Sequence, residues 1–419
     1  MRRIEWAGDA GAIVAELRSF APPAAEVRTA VTAIVEDVRE RGDNAVREQS
    51  LRLDGVDLGA AYAEPPSRLR EALDALHPLL REALDVAAAN IRAYHVREAP
   101  QAWRDTLAQG QIVGQEIVPL AVAGLYVPGG LANYPSSVLM TAIPAQVAGV
   151  GRIVVCSPPR AGGGAAEGVA AACALLGLGT VFPIGGAQAV AAMAFGTATV
   201  PRCDVIVGPG NAFVTEAKRQ VMGSVAIDSL AGPSEVLVIA DQTSRPDWLA
   251  ADLLAQAEHG AGAMACLAAV GRGLSDLVAA ELETLAAELG VPLDNVALVD
   301  CPSTQAAVAL CNAFAPEHLE LHTAGARDLV PLVRNAGAIF VGAYAATAFA
   351  DYAAGSNHVL PTGGAARFAH GLSVSDFQKR VAVVELDGSA AAALAPHVAA
   401  IADEEGLRAH ARSARLRAQ

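Results

Sequence analysis

Aromatic residues are scarce in this 419-residue chain, at 4% of the total. Strands of all-β sandwiches draw on aromatic and β-branched side chains, so the shortage favours alanine- and glycine-rich helices packed closely on a sheet. Positive charge is also short. Lys+Arg number 30 against 44 Asp+Glu, a formal charge of −14, which argues against a nucleic-acid binder that must meet phosphates with a basic face. No uninterrupted apolar run reaches about 18 residues, as a membrane span requires. The N-terminal stretch MRRIEWAGDAGAIVAELRS lacks the apolar centre of a signal peptide. A soluble cytoplasmic protein without a membrane partner is expected. The six cysteines, Cys156, Cys173, Cys203, Cys266, Cys301 and Cys311, include no C-x-x-C pair, which disfavours a thiolate zinc finger and a thioredoxin-like site. Cys156 and Cys266 lie in apolar runs and read as small buried hydrophobes. The dinucleotide fingerprint G-x-G-x-x-G is missing too. Its nearest match, Gly208-Pro209-Gly210-Asn211-Ala212-Phe213, lacks the third glycine. No P-loop lysine pattern occurs, so any nucleotide must bind by another route.

What is present is apolar content for a large core: 53% hydrophobic residues against 18% charged. At roughly 150 residues per domain, the length suggests two or three domains. Residues 1 to about 110 read as mostly helical. Val27, Val31, Ile34, Val35 and Val38 recur at helical spacing up to Gly42, a helix stop, and a second helical run extends from Pro66 to about Glu98. From about residue 117 short β runs alternate with alanine-rich helical runs. LAVAGLYVP, RIVVCSPP, TVFPIG, CDVIVGPG and SEVLVIAD read as buried strands, and the alternation is that of βαβ units in a parallel sheet. A second series continues through ACLAAVG, NVALVD, LELHT and AIFVGAY, with helices near 275–289, 303–314 and 325–335. Two α/β lobes are therefore expected. The segment from about 374 to the end reads as a helical appendage with a basic end.

Three glycine-rich exits follow strands and enter helices: Tyr126-Val127-Pro128-Gly129-Gly130, Gly185-Gly186-Ala187-Gln188 and Gly208-Pro209-Gly210-Asn211. Each alone could be an ordinary βα turn. Together they would share the carboxyl edge of a parallel sheet, where ligands bind against helix N-termini. Four further groups stand out. Gln256 and His259 share a helix face at i, i+3, although a histidine at a helix C-terminus can simply answer the dipole. Glu317 and His318 are adjacent just before a strand and can transfer protons, or can be exposed turn residues. The segment from Asp351 through Asn357 and His358 to Thr362 has no helix or strand period and reads as a polar loop, functional or merely superficial. Glu405 and His410 in the tail read as a solvated helix face or as something more.

These motifs, in their order, resemble the L-histidinol dehydrogenase family. GLYVPGG (124–130), YPSSVLM (134–140), GGAQA (185–189), VGPGN with FVTEAKR, AGPSEVLVIAD (231–241), QAEHG (256–260), APEHLEL (315–321), AGSNHVLPT and LRAH carry the resemblance over most of residues 117–411. It implies an NAD-dependent homodimer with one zinc ion per subunit. Such an enzyme oxidises L-histidinol through the aldehyde to L-histidine, the last two steps of histidine biosynthesis, and reduces two NAD+. It implies an α/β fold of two incomplete Rossmann-like lobes without the usual glycine fingerprint. The division it suggests is an arm over 1–22, a first lobe of 23–123 and 235–373 on the zinc side, a second lobe of 124–234 on the NAD side, and a tail over 374–419 that reaches the partner subunit's site. Carried over by position, Gln256, His259, Asp351 and His410 would hold zinc, the last from the other subunit. Glu317 and His318 would be catalytic, the first activating water and the second serving as general base. Tyr126, Gln188 and Asn211 would meet NAD. Substrate would meet Ser234, Gln256, His259, His318, Asp351, His358, Glu405 and His410. No cysteine lies in these motifs, so a covalent thiohemiacetal is not expected.

Two positions depart from the family pattern. Thr347 stands where a glutamate is usual and Ala350 where a glycine is usual. Glycine tolerates dihedrals that alanine resists, so the methyl at 350 raises the question of a shifted backbone beside Asp351. The missing carboxylate raises that of altered support for the ligands. Both bear on substrate and rate more than on reaction class. A paralogue that oxidises another amino or polar alcohol is the alternative reading.

Overall fold

The computed structural model describes residues 1–6, 8–19, 27–129, 133–260 and 262–418. Gly130 of the first glycine-rich exit and the arm boundary at 22/23 lie outside them. The chain begins with β1 (Arg2–Glu5) and α1 (Ala10–Arg18). Four helices follow, α2 (Arg28–Arg41), α3 (Asp43–Asp54), α4 (Pro66–Asp74) and α5 (Pro78–Glu98), and then a hairpin of β2 (Trp103–Thr106) and β3 (Ile112–Pro119). The first alternating series runs through β4 (Val122–Tyr126), α6 (Pro135–Ala148), β5 (Arg152–Cys156), α7 (Glu167–Leu175), β6 (Val181–Phe182), α8 (Gly186–Phe195), β7 (Val205–Val207), α9 (Ala212–Val221) and β8 (Ala226–Ile227). The second runs through β9 (Glu235–Asp241), α10 (Pro246–Ala257), β10 (Met264–Val270), α11 (Leu274–Leu289), β11 (Val296–Cys301), α12 (Thr304–Phe314), β12 (His318–His322), α13 (Ala326–Leu329), β13 (Ala338–Val341) and α14 (Thr347–Tyr352). The tail holds β14 (Gln378–Glu385), α15 (Gly388–Glu404) and α16 (Arg408–Leu416).

The fold is α/β, with two parallel sheets wound alike. One has the order β6-β5-β4-β7-β8 and the other β11-β10-β9-β12-β13, which β1 extends beside β11. In each, the chain winds outward from a first strand, then returns past it and winds the other way. The switch points lie between β4 and β7 and between β9 and β12, where the helices on either side diverge and leave a crevice. Apolar side chains cover both faces of both sheets, which explains strand sequences as continuously apolar as EVLVIAD and MACLAAV. The expected lobes, the parallel strands and the small-residue helix packing are thus present. Cys156 and Cys266 are fully buried strand residues.

Several expectations need correction. Helices α2 to α5 pack on α6 to α9 and share the cores of the five-stranded sheet. The helical part of 23–123 therefore joins the 124–234 lobe and not the six-stranded one. Its apolar stripes have the right spacing but carry no label for the sheet they cover. Residues 1–18 are more than an arm, since β1 pairs with β11 and α1 packs on α12. The helix expected near 325–335 stops as α13 and a 3-10 turn over Val330–Leu332, because Pro331 cannot donate the next backbone bond. The tail is not helical from 374: β14 pairs antiparallel along all of β3. No helix among the described residues is long and apolar enough to cross a membrane.

Candidate active site

One cleft of about 750 Å³ collects both sets of motifs. Its first wall is the carboxyl edge of the five-stranded sheet. Tyr126 ends β4, and its buried hydroxyl accepts from the Gly186 N–H at 3.1 Å. Gln188 stands in the first turn of α8 and donates to Asp54 at 3.2 Å, while its Oε1 is buried without a partner. Asn211 caps α9, its side-chain oxygen accepting from the N–H groups of Phe213 and Val214. Gly208 turns the chain with φ +113°, and a Cβ there would lie 2.1 Å from the Tyr126 carbonyl oxygen, so no side chain fits. Beneath this turn the buried Lys218 donates to the Gly208 carbonyl and pairs with Asp228, which accepts from the Gly208 N–H. The three strand exits therefore do share one edge.

The opposite wall is the amino edge of the six-stranded sheet, at its β9–β12 switch. Ser234 precedes β9, and His318 opens β12. Ser234 Oγ donates to Glu317 Oε2 at 2.6 Å, and the Glu235 N–H donates to the same oxygen at 2.9 Å. His318 Nδ1 lies 3.1 Å from the Glu235 carbonyl oxygen. That carbonyl can only accept, so Nδ1 carries the proton and Nε2 is left as the basic nitrogen. Nε2 is 3.5 Å from Asp351 Oδ1, and both atoms are buried without a hydrogen-bond partner. His259 and His358 repeat the arrangement. Their Nδ1 atoms meet the carbonyls of Ala255 at 3.0 Å and Asp351 at 2.9 Å, which frees each Nε2. Gln256 is buried on α10 with its Oε1 3.4 Å from Ser234 Oγ.

Electrostatics separates the two proposed proton-transfer groups from ordinary surface residues. Burial pushes the Glu317 carboxyl up to about 7, partly offset by His318 and Ser234. Burial alone would lower the His318 imidazole, but Glu317 and Asp351 outweigh it and raise its pKa. Burial would raise Asp351, yet His318, His358 and His259 outweigh it and hold the carboxyl low. Burial also lowers His358, despite Asp351 beside it, and favours a neutral ring. The exposed-turn reading of Glu317 and His318 is excluded, since both are buried.

A family model described as "Histidinol dehydrogenase" matches residues 20–418. The chain is 48% identical over 402 residues to a histidinol dehydrogenase of Rhizobium meliloti (strain 1021), covering 94% of this chain and 92% of that one. It is 47% identical over 401 residues to one from Geobacillus kaustophilus (strain HTA426), with 94% of each covered. The chain belongs to the histidinol dehydrogenase family. The crystal structure of a histidinol dehydrogenase from Elizabethkingia anophelis superposes with a TM-score of 0.93 at 31% identity, over 100% of this chain and 98% of that one.

Against the family pattern, the departure at 350 costs no strain. Ala350 lies inside α14, and among described non-glycine residues only Ala315 has a positive φ. Thr347 donates from its N–H at 2.6 Å and from its hydroxyl at 2.7 Å to Glu320 Oε1, so that carboxylate caps α14 in place. Asp351 is thus a helix residue, where a polar loop was expected; six residues are too few to print a helical period. Glu405 and His410 do not join the cleft of their own chain and are exposed on the tail. Asp54, Tyr134 and Tyr352 line the cleft unforeseen. Asp54 sits in LRLDG at the end of α3, which looks like any solvated helix terminus.

Proposed function

We propose that this chain catalyses the NAD-dependent, zinc-dependent oxidation of L-histidinol to L-histidine. One observation carries the reading: His318 Nε2 and Asp351 Oδ1 face each other in the cleft, buried and unpartnered, with Glu317 alongside. A buried polar atom without a partner is costly unless something absent completes it. Gln256, His259 and Asp351 offer an amide oxygen, a free imidazole nitrogen and a low-pKa carboxylate, a mixed N/O set that suits zinc. When bound, zinc would act as a Lewis acid that orients the substrate, and NAD+ would accept hydride.

The chain's own residues supply the rest. His318, with its tautomer fixed by the Glu235 carbonyl, takes the alcohol proton at Nε2 as hydride leaves the carbon. Glu317, with a pKa near 7, removes a proton from the water that adds to the aldehyde. His318 returns its proton to the carbonyl oxygen as the hydrate forms, and so is free to take the hydrate's proton in the second oxidation. Alcohol to acid is a loss of four electrons, hence two hydrides for two NAD+. His358 and Ser234 bind the polar end of the substrate. Tyr126, Gln188 and Asn211 bind NAD on the opposite wall. No cysteine lies among the described lining residues, in keeping with water and not a thiol attacking the aldehyde.

His410 and Glu405 complete the site from a second copy. The tail favours this. α15 and α16 pack mainly on each other over three buried alanines, while Val384, Ile401 and Leu416 stay exposed, an apolar surface that one chain leaves uncovered. A cytoplasmic setting suits six buried, unpaired cysteines. A panel of amino alcohols and polar alcohols offered to the zinc-loaded protein with NAD+ tests the substrate. L-Histidinol should exceed every other member in kcat/KM; a better alcohol would turn the assignment to a paralogue.

A further inference from the structure

Strand β12 turns His318, Glu320 and His322 to one face, and all three are buried. Only His318 reaches the cleft. Glu320 and His322 meet Asp252 from the middle of α10. His322 Nε2 lies 3.3 Å from Glu320 Oε2 and 3.8 Å from Asp252 Oδ2, and one ligand atom from each residue falls within 4.8 Å of the others. The side chains of Glu320, His322 and Asp252 are 0%, 1% and 15% exposed. Glu320 Oε1 is spent on Thr347, but Glu320 Oε2 and His322 Nε2 are both buried without a hydrogen-bond partner.

Two carboxylates and an imidazole converge in a buried pocket, with two of their polar atoms lacking a hydrogen-bond partner. Burial and Glu320 push the Asp252 carboxyl up to about 7, so the bare pair of carboxylates resists ionising together. A divalent cation would answer all three groups at once. Bonds of roughly 2.0–2.2 Å to such an ion set neighbouring ligand atoms roughly 3–3.6 Å apart, close to the 3.3 and 3.8 Å that separate His322 Nε2 from Glu320 and Asp252. Two carboxylate oxygens with one imidazole nitrogen suit manganese, iron or zinc better than a soft ion.

We infer that Asp252, Glu320 and His322 form a second divalent-metal site, for a transition ion of the manganese-to-zinc class, behind the catalytic cleft. The site does not depend on the proposed activity. It has a structural logic of its own. Asp252 is one turn before Gln256 on α10, and Glu320 caps α14, which carries Asp351. An ion here ties together the two helices that bear Gln256 and Asp351, two of the proposed catalytic zinc ligands.

The test counts metal. The full-length protein is stripped with a chelator and titrated with Mn2+ alone, the free ion being read by electron paramagnetic resonance. Two ions per chain are expected for the natural sequence. One should remain in Asp252→Asn and in His322→Asn, and one in His259→Asn. A single ion that survives Asp252→Asn but is lost in His259→Asn overturns the second site, as does no binding at all. A single ion lost in Asp252→Asn and kept in His259→Asn would support this site and contradict the catalytic zinc set instead. Asp252 is partly exposed, so its variant keeps the test open should His322→Asn fail to fold.

Discussion

Three histidines in the cleft, His259, His318 and His358, spend their Nδ1–H on backbone carbonyls. The backbone thereby sets the tautomer, and each ring presents Nε2. A ring so fixed loses little freedom on binding a metal or a substrate. The roles proposed for the three differ through their neighbours alone: Glu317 and Asp351 raise His318, whereas burial lowers His358. His318→Asn should lower kcat by about 10²–10⁴-fold, the usual contribution of a positioned general base, while zinc content stays unchanged. If zinc left with activity, His318 would be a ligand and its assigned role wrong. Glu317→Gln should spare the first oxidation and slow the second. The free aldehyde, trapped with a carbonyl reagent, should then build up, and its absence at reduced NADH output would place Glu317 in the first step. The residues Glu317 and His318 were legible as an acid–base pair in sequence. Their burial was not, because it comes from Ser234, Glu235 and Phe340, the first two more than 80 positions earlier in the chain.

Strand β12 shows why the elements read well and their surroundings did not. HLELH alternates polar and apolar residues, the pattern of a strand with one wet face. Both faces are nevertheless buried, since Leu319 and Leu321 enter one core while Asp252 of α10 and Thr347 of α14 meet the polar side. A polar face buried in this way is not a surface, which only the tertiary packing reveals. The same gap explains Ala315, at φ 53° the sole described non-glycine residue with positive φ. It ends α12 and swings the chain into Pro316 and Glu317, a strained position next to reactive groups. Nothing in APEHL marks it. The β4–β7 edge is sturdier. Lys218→Ala would leave Asp228 buried without its charge partner and should cost about 3–5 kcal/mol, read as a lower denaturation midpoint. A stability unchanged within error would mean that water reaches Asp228. β14 is hard to read from sequence because its apolar run VAVV is only four residues long, lies between charges and stays largely exposed on β3.

At the scale of the molecule, two similarly wound sheets meet edge to edge: the carboxyl edge of one faces the amino edge of the other. That arrangement brings the glycine-rich turns and the Glu317–His318 pair into one cleft without the usual glycine fingerprint. The winding was legible in the alternation of strands and helices. The docking of α2 to α5 was not, since an amphipathic stripe fits either sheet. The tail carries the second-copy proposal. Mixing His318→Asn chains with His410→Asn chains should restore about a quarter of natural activity, because half the dimers are mixed and each mixed dimer rebuilds one intact site. No recovery would put His410 in its own chain's site or outside any site.

The most direct measurement is the NADH yield of purified, zinc-loaded protein with limiting L-histidinol and excess NAD+. Two NADH per histidinol, with histidine as the product, is the expected result. One NADH per histidinol with aldehyde as the end product, or none with zinc confirmed in place, would contradict a four-electron oxidation at this site.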